Sequence, residues 1–75
     1  MSDVTVTRNA EQSRYEAHID GNLAGFAHYT QQDDVVVMDH TETEDGFTGH
    51  GVASQVVKYA LDDLARQGAT VRPLS

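Results

Sequence analysis

Residues 40–68, HTETEDGFTGHGVASQVVKYALDDLARQG, contain the junction on which the fold depends. Gly46, Gly49 and Gly51 crowd into six residues directly before a run with helical periodicity. Glycine costs backbone entropy and disfavours a helix interior, so the cluster marks a boundary. From Val52 the apolar residues come in pairs: Val52/Ala53, Val56/Val57, Ala60/Leu61 and Leu64/Ala65. That spacing predicts one apolar stripe on a helix, with Gln55, Lys58, Tyr59, Asp62, Asp63 and Arg66 outside it. Asp62 and Arg66 are spaced as an i,i+4 ion pair. Thr48 is the expected N-cap and Gly68 the expected stop. Beyond it, ATVRP reads as a final short strand. A glycine-rich turn feeding a helix N-terminus exposes backbone N–H groups, and the helix dipole adds to their attraction for an anion.

Upstream, Val35–Met38 is apolar without alternation, which predicts a central strand covered on both faces. Leu23–Thr30 and Arg14–Asp20 read as strands around Asp20-Gly21-Asn22, a hairpin signal; the second alternates Tyr15, Ala17 and Ile19 against charged partners. Val4 and Val6 alternate with Thr5 and Thr7 in one more strand over Asp3–Arg8. The predicted order is β-β-β-β-α-β. Four antiparallel neighbours precede a helix that crosses over to a final strand parallel to the central one. The fold class is α+β, a mixed, mostly antiparallel sheet with one main helix.

At 75 residues the chain is expected to be one domain, 1–75. A charge of −7, from 12 Asp+Glu against 5 Lys+Arg, argues against nucleic acid and favours cationic partners such as amines. No apolar run reaches a membrane span and no leader pattern opens the chain, so a soluble cytoplasmic protein that does not engage membranes is expected. With no cysteine and no close histidine spacing, no metal site is expected.

Two familiar phosphate loops fail. No lysine follows Gly51 as a Walker loop requires, and Ser54 stands where a dinucleotide fingerprint needs its third glycine. The turn resembles instead the Q/R-x-x-G-x-G/A signature of the GNAT superfamily of acetyl-coenzyme A-dependent N-acetyltransferases, on Gly46-Phe47-Thr48-Gly49-His50-Gly51. More closely, the chain resembles the small single-domain members of that superfamily. Their three motifs occur here in order: Gly21…Gly25/Tyr29, His40-Thr41-Glu42-Thr43, and Gly49-His50-Gly51-Val52-Ala53…Val56-Val57.

The resemblance implies a GNAT-like sheet lacking the N-terminal helix pair of larger relatives, with acetyl-CoA as cofactor and transfer to a small-molecule or protein amine. It implies that backbone groups around Thr41 and Thr43 meet the pantetheine arm. The turn from Gly46 through Phe47, Thr48, Gly49, His50, Gly51 and Val52 to Ala53 would hold the pyrophosphate. His40, or Glu42 through water, is the candidate base, and a backbone N–H near Thr41 the candidate oxyanion donor.

Three departures stand out. Gly46 replaces the signature's Gln/Arg. Glu42, Glu44 and Asp45 crowd acid beside the expected phosphates. Ser75 takes the place of the family's cysteine at the point where relatives continue, which implies a truncated or degenerate domain. A serine without an activating base is a poor nucleophile, so direct attack by the amine is expected rather than transfer through Ser75. These departures also keep open a non-catalytic module that binds CoA or a protein partner.

Overall fold

A computed structural model of the protein describes residues 3–49 and 51–73. Five strands and one helix follow in the predicted order: β1 Val4–Asn9, β2 Arg14–Ile19, β3 Asn22–Gln32, β4 Val35–Thr43, α1 Val52–Arg66 and β5 Thr70–Pro73. They form one sheet in the order β1-β2-β3-β4-β5. All neighbours are antiparallel except β4 and β5, which are parallel across the α1 crossover.

The turns follow from their residues. Asp20 and Gly21 both take positive φ, 52° and 81°, the geometry of a two-residue hairpin whose twist matches its strands. At the far end of α1, Gly68 is left-handed at φ 75°. Its N–H donates to the Ala65 carbonyl and that of Ala69 to the Leu64 carbonyl, a Schellman stop that satisfies two orphan acceptors.

The core lies between α1 and one face of the sheet. Val52, Val56, Ala60 and Leu64, at strict i,i+4 spacing, bury against Tyr15, Ala17, Ile19, Ala24, Ala27, Tyr29 and Val36. The Tyr15 hydroxyl is buried with its ring and donates to Asp63 Oδ2 at 2.7 Å, which ties the C-terminal half of the helix to β2. Burial, then the carboxylate that accepts this bond, pushes the Tyr15 phenol well above its usual value.

Several expectations are corrected. β4 runs on to Thr43, and the helix covers only one of its faces: Val36 is buried while Val35 and Val37 are half-buried on the other side. A continuous valine run here reflects β-propensity as much as two-sided burial. The N-cap is Gly51, left-handed at φ 69° with no side-chain cap, rather than Thr48. Asp62 pairs with Lys58 at 2.8 Å, and Arg66 turns to Asp63 at 3.3 Å. Only part of the apolar stripe is buried, since Leu61 is 42% exposed.

Candidate functional site

The sheet is closed at one end of β4 and open at the other. β5 pairs with β4 from Val35↔Thr70 to Met38↔Pro73, and among the described residues it goes no further. β4 continues alone on that side through Thr43, still paired with β3. The direction of its free groups follows from one bond. Glu44 N–H donates to the Ala24 carbonyl at 2.8 Å, so alternation turns the backbone groups of Glu42 and His40 toward β3 as well. Thr41 and Thr43 therefore present N–H and C=O to the open edge.

Beside that edge lies a cleft of about 680 Å³ lined by Thr41, Ala53, Ser54, Val57, Lys58, Leu61 and Asp62. Ala53, Val57 and Leu61, second members of the apolar pairs that miss the buried core, form its wall. The Lys58–Asp62 ion pair holds Asp62 below the usual carboxylate range at the cleft's rim.

The glycine turn leads into the helix N-terminus, whose Ala53 and Ser54 line one end of this cleft. Phe47 N–H donates to the Glu44 carbonyl at 3.2 Å across Asp45-Gly46, and the Phe47 ring packs on the core. Gly46, Gly49 and Gly51 all have positive φ, and a Cβ built on any of them meets nothing within 4 Å. Backbone conformation requires glycine there, and the space above the turn is open. The first helical bond runs from Gln55 N–H to the Gly51 carbonyl at 3.1 Å, so the N–H groups of Val52, Ala53 and Ser54 have no acceptor within the helix. All five Lys and Arg residues (Arg8, Arg14, Lys58, Arg66 and Arg72) lie outside residues 40–57. Any anion at this turn meets backbone dipoles without a basic side chain from the turn itself.

Gly25 sets where the helix begins. A Cβ on it would come within 2.8 Å of the Glu42 carbonyl oxygen and 2.9 Å of Val52 Cγ1. The first helical residue thus seats against bare backbone where β3 meets the open half of β4. Val52 is spent on the core at 2% exposure, so its side chain takes no part in lining the cleft.

His40 and Glu42 lie on the opposite face of the sheet from Thr41. Their side chains meet at 3.2 Å, from His40 Nε2 to Glu42 Oε2, and both are well exposed. The Phe26 ring lies 6.0 Å from that of His40, tilted at 55°, and the Arg14 guanidinium lies 4.7 Å over the Phe26 ring. His50 and Ser75 lie outside the described residues, as do any contacts they make.

A cluster absent from the sequence-level candidates adjoins His40. The β3–β4 register shifts at His28/Tyr29, leaving Asp39 as the extra residue of a bulge. Its carboxylate meets His28 Nδ1 at 2.6 Å and accepts from Thr30 Oγ1 at 2.5 Å. The Thr30 bond first, and then His28, hold the Asp39 carboxyl below its usual range. The i,i+2 spacing of Phe26, His28 and Thr30 was a visible signal for one shared face. The bulge that turns Asp39 toward them was not. Among the described residues, no group of three His, Cys, Asp or Glu side chains is placed to hold a metal ion. No helix is long and apolar enough to cross a membrane.

The fold matches the solved structure of nourseothricin acetyltransferase with a TM-score of 0.62 at 18% identity, over 91% of this chain and 55% of that one. The chain thus spans about half the length of that protein. No curated protein sequence matches. The profile of the GCN5-related N-acetyl-transferase family matches residues 14–75, from β2 through the open edge, the glycine turn and α1. The chain belongs to the GCN5-related N-acetyltransferase family.

Proposed function

We propose that this chain binds acetyl-CoA in the cleft beside β4 and transfers the acetyl group to a primary amine. The observation that carries the reading is the unpaired edge of Thr41 and Thr43 beside an apolar cleft that ends at a helix N-terminus. An extended arm with alternating amide groups fits a strand edge by continuing the sheet's hydrogen bonds. Ala53, Val57 and Leu61 shield that arm, and the N–H groups of Val52, Ala53 and Ser54 receive the pyrophosphate with the helix dipole. Gly49 and Gly51 keep the approach clear.

Bound acetyl-CoA supplies an acyl group activated as a thioester. The protein contributes a backbone N–H at the edge, near Thr41, to accept developing negative charge on the carbonyl oxygen. The amine arrives over the uncovered face, where Glu42 and the net charge of −7 attract a cation. The same acidity works against the phosphates, and with Gly46 it favours a loosely held coenzyme.

Incubation with acetyl-labelled CoA and a panel of primary amines tests the reading. Time-dependent labelled amide is expected. Tight CoA binding with no product from any amine would favour the non-catalytic module instead.

A further inference from the structure

Two histidine–carboxylate pairs share the uncovered face, His40–Glu42 and His28–Asp39, on directly opposed residues of β4 and β3. They differ in the ring nitrogen engaged. In the first pair Nε2 is taken by Glu42, both groups are more than half exposed, and the bond is long at 3.2 Å. In the second, Nδ1 is held at 2.6 Å by a carboxylate whose other oxygen is fixed by Thr30. An ionised Asp39 can only accept, so the Nδ1 hydrogen of His28 points at it and the lone pair of neutral imidazole is on Nε2. Among the described residues no hydrogen-bond partner is assigned to that nitrogen.

The location matters as much as the tautomer. Among the described residues, Asp39 is the first β4 residue past the last β5 pair, Met38↔Pro73. The bulge therefore puts the dyad where the sheet opens, one strand spacing of about 4.8 Å from the free edge. That is the reach of one bridging water. The charged and titratable groups around His28 are Arg14 and Glu16 of β2, and Asp39, His40 and Glu42 of β4. α1 packs on the other face.

We propose that His28 is the general base that deprotonates the acceptor amine, with Asp39 and Thr30 positioning its ring. This rests on the acetyl-transfer reading above. An alkylammonium gives one proton to His28 Nε2 and becomes a nucleophile. Its nitrogen bonds to the acetyl carbon while the carbon–sulfur bond breaks, and the electron pair leaves with sulfur. A second N–H proton goes to the thiolate, and His28 returns its proton to solvent. Amide, thiol and one proton are the products.

Two measurements test this. Long-range ¹H–¹⁵N correlation spectra of the free protein report the tautomer directly. Neutral His28 should carry its proton on Nδ1, and Asp39→Asn should populate the other tautomer. A wild-type His28 protonated on Nε2 would overturn the assignment whether or not any enzyme activity exists. The second measurement compares n-butylamine, a cation at neutral pH, with hydroxylamine, which is already neutral and needs no base. His28→Asn keeps a donor toward Asp39 but has no basic nitrogen. It should lose on the order of 10²–10⁴ in kcat/KM for n-butylamine and stay within about threefold for hydroxylamine. Equal losses for both amines, or none for either, would overturn the proposal. If wild type with the Nδ1–H tautomer acetylates neither amine, the transfer reading fails and the base falls with it.

Discussion

The two halves of β4 are one strand with two environments. From Val35 to Met38 it is hydrogen-bonded on both sides, and its buried Val36 lies under the helix. From Asp39 to Thr43 it is bonded only to β3 among the described residues, and most of its side chains are exposed. The first half stabilises the sheet. The second leaves polar backbone groups unpaired, which soluble proteins ordinarily cover or blunt because an open edge invites another strand. Here the edge stands beside a cleft and a helix N-terminus. The proposed coenzyme site rests on that setting.

Proline substitution separates the two sides of the outer half with the largest effect. Glu42→Pro deletes an N–H directed at β3 and leaves a ladder carbonyl unsatisfied. It should cost about 3 kcal/mol or more, or prevent folding. Thr41→Pro deletes an N–H directed at the open edge, where proline is tolerated, and should cost about 1 kcal/mol or less. The second variant should nonetheless bind CoA roughly five- to tenfold more weakly, the worth of one hydrogen bond. Urea unfolding and a CoA titration read both quantities. Equal stability losses would mean that the edge is not open.

Gly25→Ala probes how the helix is held to the outer half. With Cβ approaches of 2.8 Å to a backbone oxygen and 2.9 Å to Val52, relief requires β4 or the helix start to move. A loss of about 1–3 kcal/mol is expected in urea unfolding, with weaker CoA binding beyond what stability explains. Gly46→Ala, in open space but at positive φ, should leave the packing of α1 unchanged.

Asp63, near the C-terminal end of the helix, faces Tyr15 of β2 and does not line the cleft. Its carboxyl is held below its usual value near 3.8, first by the Tyr15 hydroxyl and then by Arg66 and Arg8 against a burial penalty. A depressed folded-state pKa means stability that is present above the unfolded value and lost as pH falls through the folded one. Asp63→Asn should therefore be about 1 kcal/mol less stable than wild type at neutral pH. The gap should begin to close below about pH 5 and vanish in stronger acid. CoA affinity at neutral pH should not change. A gap independent of pH would remove the charge from the explanation.

The smallest effect belongs to Gly46→Arg, which restores the signature's cation beside the turn. A gain of about 1 kcal/mol or less in CoA binding is expected, shrinking as salt is raised. The same change in a Glu44→Gln, Asp45→Asn background removes the local acids that would divert the guanidinium. No gain there would mean that Gly46 does not face the phosphates.

Regular elements were legible in the sequence because they repeat. Alternation through Tyr15, Ala17 and Ile19, the Asp-Gly turn, and the i,i+4 apolar residues of α1 with the stop at Gly68 each carry a period or a stop. What depended on single residues was not. One extra residue at Asp39 changes which side chains share a face, yet no residue type announces a bulge. Thr48 had the chemistry of an N-cap, but the chain reached the helix through left-handed Gly51, with Val52 seated against Gly25, 27 residues earlier in the sequence. The three turn glycines drew attention by crowding, whereas Gly25 stood out only as a position of the family-like hairpin motif, and nothing in the sequence showed that it has the tightest surroundings of the described glycines. The open edge, too, depends on how far β5 pairs with β4 among the described residues.

Hydrogen exchange along β4, with and without CoA, tests the central claim most directly. In the free protein the amides of Thr41 and Thr43 should exchange fast while those of Glu42 and Glu44, bonded to β3, are protected. Saturating CoA should slow Thr41, Thr43 and the Val52–Ser54 amides and leave the Asp20–Gly21 turn untouched. Protection of Thr41 and Thr43 before CoA is added, or no change at them once CoA is bound, would contradict the account.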